Sequence, residues 1–110
     1  MKSWDLTSIE VEPHMPEVIT ITDEARAIVI QLPAGERLQE HQVHERALVT
    51  VVEGEARFTT PEGETVDAAV GHLFEFDPKE RHEVEATSDV RLLLVLTPWP
   101  GDGHPSERPS

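Results

Sequence analysis

Residues 35–54 read GERLQEHQVHERALVTVVEG, and the fold turns on this stretch. Its second half, ALVTVV at 47–52, is rich in β-branched residues and ends at Glu53-Gly54-Glu55, which is a strand followed by a turn. Its first half, 37–43, is a weaker extended run. Similar runs lie on both sides. Upstream, AIVIQL at 27–32 stops at the turn Pro33-Ala34-Gly35-Glu36. Downstream, 56–60 leads into Pro61-Glu62-Gly63-Glu64, 65–69 is broken at Gly71, and 73–76 stops at Asp77-Pro78. The alternating run 82–86 stops at Thr87-Ser88-Asp89, and VRLLLVL at 90–96 is nearly all apolar. Turn signals recur about every 8–12 residues with no helical period, which predicts an all-β protein. About eight strands suit a jelly roll better than a smaller barrel.

The run 92–96 has no polar face, whereas a half-solvated strand alternates. It is expected either to be covered on both sides or to turn its outer face to a second subunit. The segment 1–17 is polar, carries Pro13 and Pro16, and reads as an irregular lead-in able to supply an edge or exchanged strand. The barrel is assigned to 18–97. The segment 98–110, with four prolines and two glycines, reads as an extended tail with Trp99 anchoring its start.

With 110 residues the chain supports one core, burying roughly 60–70% of its unfolded surface. Nine basic residues against 22 acidic ones give a net charge of −13. That field opposes phosphate backbones and anionic membranes. No nucleic-acid partner and no membrane partner is expected. The absence of cysteine excludes disulfides, thiolate metal sites and cysteine nucleophiles. No apolar run near the N-terminus resembles a signal peptide, and none approaches the roughly 18 residues of a membrane span. A cytoplasmic location is the expectation.

Six histidines are candidates for chemistry. His14 and His104 fall in the irregular ends and read as solvated. His72 follows Gly71 at a turn and is expected to be exposed, on the reasoning that Leu73 is buried and its neighbour faces away. Side chains on a strand alternate. A regular strand therefore puts His41 and Glu45 on the face of Ala47, Val49 and Val51, with His44 and Arg46 on the other. A bulge near Val43 would bring His44 inward instead. His82 shares an apolar face with Val84 and Ala86. Buried imidazoles need partners. Two or three of them with a carboxylate make the nitrogen and oxygen donor set of zinc, manganese, iron, nickel or copper. Arg46 and Arg81 read as outward salt-bridge residues, and Phe58, Phe74 and Phe76 as core.

Residues 35–54 resemble the first motif of the cupin superfamily, and 71–82, GHLFEFDPKERH, resemble the second. Five residues separate Gly35 from His41, as in that family, and Gly54 is the closing glycine. His82 falls 11 residues after Gly71, the family's interval. The chain looks like a small single-domain bacterial cupin, which implies a jelly-roll β-barrel, also described as a double-stranded β-helix. Family members hold a metal with three histidines and a glutamate. Here Val43 stands where the second histidine belongs, with His44 one place late. Ala47 stands where the glutamate belongs, with Glu45 two places early. Pro78 is one place past the family's proline. Lys79 replaces a glycine, and Ala86 the final asparagine. His41 and His82 carry over cleanly, leaving His44 and Glu45 to complete a ligand set.

Three functions remain open. The first is a metal-binding cupin acting as an oxygenase, isomerase or lyase on a small molecule. The second is a non-catalytic cupin that binds or senses a small ligand without metal. The third is a metal-free acid–base enzyme using His41, His82 or Glu45. Sheet edges need covering and the family often dimerises through N-terminal strands, so a homodimer is expected.

Overall fold

The computed structural model describes residues 1–13, 15–41 and 44–98, together with the backbone but not the side chains of 39–41. His14, Val43, Trp99, His104 and the tail beyond residue 98 lie outside the described residues. Among the described residues nine strands form: β1 Glu17–Ile21, β2 Arg26–Leu32, β3 Arg37–His41, β4 Arg46–Glu53, β5 Ala56–Thr59, β6 Thr65–Ala68, β7 Leu73–Phe76, β8 His82–Ala86 and β9 Val90–Thr97. No helix among them is long and apolar enough to cross a membrane.

The strands make two antiparallel sheets. One runs β1-β2-β9-β4-β7 and the other β3-β8-β5-β6. The ladders among the described residues do not join the sheets into a closed barrel, so the expected barrel appears as two facing sheets. The core lies between them. Ile28, Ile30 and Leu32 of β2, Val49 and Val51 of β4, and Leu92 and Leu96 of β9 meet Phe58, Val84 and Ala86 from the other sheet. Each set follows the two-residue period of its strand, which is why short alternating runs suffice to build this interior.

β9 explains its own composition. It is the central strand of the larger sheet, paired to β2 through Val29↔Leu93 and to β4 through Thr50↔Leu93. Val90, Leu92 and Leu96 are buried inward, while Leu93 and Val95 on the outer face are half-buried. Val29, also on the outer face, is 0% exposed although it is not part of the sandwich core. The lead-in lies across this face. The Arg91 guanidinium donates through Nη1 to the carbonyl oxygens of Leu6 at 2.9 Å and Ile9 at 2.6 Å, and through Nε to Gln31 Oε1 at 2.8 Å. Burying a valine side chain contributes about 1.5–3 kcal/mol. The polar lead-in therefore covers part of the larger sheet. Its first turn is held by Asp5, which accepts hydrogen bonds from the Thr7 and Ser8 hydroxyls at 2.7 and 2.8 Å. These bonds hold the Asp5 carboxyl below its ordinary pKa. The edge strand begins at Glu17 and pairs with β2 of the same chain.

The two ends of the sandwich differ. At one end, turns 33–36, 54–55 and 87–89 meet. The Ala34 N–H donates to Asp89 Oδ1 at 2.8 Å and the Glu55 N–H to Ser88 Oγ at 2.9 Å. Gly54 has φ +78°, and a Cβ there would sit 1.9 Å from the Asp89 carbonyl oxygen. Only glycine allows this approach. The opposite end, where β3 and β8 meet at His41↔His82 and β4 begins beside Thr97, is the mouth.

Candidate functional site

Residues 37–52 do not form one regular strand. β3 ends at His41 in the smaller sheet and β4 starts at Arg46 in the larger one. His41 and Glu45 thus come to the mouth from different sheets, not from one strand face. The alternation of β4 nevertheless extends back to Glu45: Val51, Val49, Ala47 and Glu45 are all buried. Glu45 is 2% exposed, while His44 is at the surface. The inward place beside β4 therefore belongs to Glu45.

His82 opens β8. Its side chain is 4% exposed, on the face that carries Val84 and Ala86 inward. Its backbone is opposite His41 in the β3–β8 ladder, with a register irregularity between Leu38 and His41. The imidazole lies flat on Phe76, ring centroids 3.8 Å apart and planes 10° apart. Phe76 is itself paired with Ala47 across the β4–β7 ladder. Two residues of strand cover about 7 Å. Glu45 therefore enters roughly that far from the Ala47–Phe76 pair whose aromatic ring carries His82. A carboxylate and an imidazole are thus buried at the same end of the sandwich. Beneath His82 the interior is nearly full. Ile30, Leu38, Val49, Val84 and Leu92 leave a void of about 20 Å³, enough for about one water.

Among the described residues no three of His, Asp and Glu come close enough together to hold a metal. The His41 side chain is outside those residues. Glu45 and His82 are oxygen and nitrogen donors of the type that borderline divalent metals accept, so the donor chemistry suits a metal.

The other sequence-based expectations divide. His72 is exposed, but not because Leu73 is buried: Leu73 is 59% exposed. β7 is an edge strand, and it turns Phe74 and Phe76 inward and Leu73 and Glu75 outward. His72 shares the inner face and stacks on Phe74 with centroids 4.7 Å apart. Arg46 points outward and pairs with Glu75 at 2.7 Å and with Asp77. Both bonds hold the guanidinium in its charged form, the Asp77 bond more strongly. Arg81 is exposed. Phe58 and Phe76 are core residues and Phe74 packs against that core. Sequence reasoning missed that these rings also line a cleft. The signal available was Phe74 and Phe76 at a two-residue spacing.

One backbone feature bears directly on family. Lys79, at the position where the second cupin motif has glycine, has φ +67°, a left-handed conformation that side-chain-bearing residues rarely adopt. The turn keeps a glycine geometry without the glycine. Residues 28–97 match the family model described as "Cupin domain". The chain belongs to the cupin family.

Solved structures agree on the fold. An RmlC-like cupin protein from Desulfovibrio desulfuricans has TM-score 0.79 at 21% identity, covering 89% of this chain and 97% of that one. An uncharacterised conserved protein with a double-stranded β-helix domain from Klebsiella pneumoniae has TM-score 0.76 at 18% identity, covering 93% and 92%. A conserved protein of unknown function from Streptococcus pyogenes has TM-score 0.73 at 25% identity, covering 88% and 87%. No curated protein matches this cupin by sequence.

Proposed function

We propose that this chain is a small metal-binding cupin whose jelly-roll barrel opens at the mouth beside His82. His41, His82 and Glu45 hold a divalent transition metal: zinc, manganese, iron, nickel or copper. His44, at the surface, stands outside that set. The observation that carries the reading is the burial of Glu45 and His82 at the end of the sandwich where His41 and His82 are paired. A bound metal would supply Lewis acidity and open positions for a small oxygen-rich ligand, which serves oxygenase, isomerase or lyase chemistry. The protein's own contributions are separate from that. Phe76 stacks on the His82 ring and Glu45 brings a carboxyl group inward.

Metal analysis of protein purified without chelator tests this. The expected result is about one transition metal per chain after reconstitution at neutral pH, lost in His82→Ala and Glu45→Ala. Substoichiometric metal in the reconstituted wild type would overturn the reading. A second reading, a metal-free ligand-binding cupin, is favoured by Val43 and Ala47 standing at two of the family's ligand positions. Thermal stabilisation by a metabolite that is unchanged by chelator would support it. The proposal includes a homodimer, supported by the edge strands β1, β3, β6 and β7. Open edges invite pairing, and sedimentation giving a clean monomer would remove the dimer.

A further inference from the structure

On the far side of Phe76 from that site, the seam between the sheets opens into a cleft of about 120 Å³. Among the described residues it shares no lining residue with the void beneath His82. Its walls are of two kinds. Phe58, Phe74, Phe76 and Val66 form the floor. The Phe58 and Phe74 rings stack with centroids 3.9 Å apart, and Phe74 and Phe76 lie side by side, 6.2 Å apart and within 8° of parallel. Among the described residues the charged lining is acidic: Glu64, Glu75 and Glu80.

These carboxylates come from fixed elements. Glu64 ends the β5–β6 turn, whose Thr60 N–H donates to the Glu64 carbonyl at 2.9 Å and whose Thr60 Oγ1 accepts from the Glu64 N–H at 3.2 Å. Glu80 accepts a hydrogen bond from the Asp77 N–H at 2.9 Å. Glu75 is tied to Arg46. Arg46, Lys79, Arg81 and His72, which stacks on Phe74, are the neighbouring bases, and none of them is among the described lining residues. Arg46 is already shared between Glu75 and Asp77. An apolar floor beneath an all-acidic rim, in a chain of net charge −13, is complementary to one kind of small molecule. It must carry a positive charge on an apolar body. The volume limits that body. A cavity of about 150 Å³ takes a benzene ring, so this cleft suits about five or six heavy atoms.

We propose that the seam between β5–β6 and β7 binds a small organic ammonium ion, its apolar body on the phenylalanine floor and its charge at Glu64 and Glu80. The site does not depend on whether the His82 end holds a metal.

A titration of the full chain followed by amide chemical shifts, with chelator present throughout, tests it. The probes are n-butylammonium, the uncharged n-butanol and the anionic butyrate. Saturable shifts at Thr60, Glu64, Val66 and Glu75 are expected with butylammonium. It should bind at least roughly threefold more tightly than butanol, with butyrate not binding. Added salt should weaken the binding. The double variant Glu64→Gln with Glu80→Gln changes only exposed side chains and should weaken butylammonium roughly three- to tenfold. Val66→Phe should block both butylammonium and butanol. Equal affinity for butanol and butylammonium, shifts scattered over the acidic surface without saturation, or an unaltered double variant would each overturn the proposal. None of these outcomes touches the metal reading, since chelator is present in every arm.

Discussion

At one end of the sandwich, the turns 33–36, 54–55 and 87–89 are laced together by backbone and side-chain hydrogen bonds around Gly54. At the other end, Glu45 and His82 are buried and Lys79 is held at positive φ. The first end is tied by hydrogen bonds between turns that are distant in sequence. The second accepts a buried carboxylate, a buried imidazole and a strained backbone. Holding a non-glycine residue left-handed costs stability. Such costs cluster where a protein does chemistry. The contrast is the reason the proposed site is sought at the second end.

The largest expected break is Gly54→Ala. A methyl group there meets the Asp89 carbonyl and a disfavoured φ, so unfolding in urea should show a loss of about 2–4 kcal/mol. Metal content of the surviving folded fraction should match wild type, since the mouth is untouched. Arg91→Ala comes next. It removes the charged donors that hold Leu6 and Ile9 against the larger sheet, at a cost of about 2 kcal/mol. Limited proteolysis should then cut within the first 13 residues before the body. The smallest change has the opposite sign. Lys79→Gly relieves the left-handed backbone at the mouth and should raise stability by about 0.5–1 kcal/mol. If Lys79→Gly destabilised the fold as Gly54→Ala does, the contrast between the ends would fail.

Most of the strands were legible because each is an apolar run bounded by glycine, proline or acidic turn residues. His82 was legible for the same reason: its partners at two-residue spacing, Val84 and Ala86, fix the face on which it lies. β7 was not, because Leu73, Phe74 and Phe76 are three apolar residues in four and give the alternation no phase. What sets the phase is tertiary: β7 is an edge strand, and its two aromatic rings find Phe58 across the seam. The change of sheet after His41 was also hidden, since HQVHERA contains no glycine or proline to mark a corner. The inward direction of Glu45 survived that error because its parity is set by β4, whose pattern continues through Ala47, Val49 and Val51. The lead-in was harder still. Leu6, Ile9 and Val11 follow no regular period, and only the position of Arg91 on the outer face shows what they cover.

β9 has a bearing on how this chain is made. It lies between β2 and β4 and pairs with both, so the two earlier strands have no shared neighbour until residues 90–97 have left the ribosome. Synthesis at about 5–20 residues per second leaves β2 waiting several seconds with its ladder edge unfilled. During that interval AIVIQL and ALVTVV are the segments most open to pairing with another chain. The larger sheet is therefore closed at its middle, and late, so a chain stopped before residue 90 is a candidate for aggregation rather than a smaller folded domain.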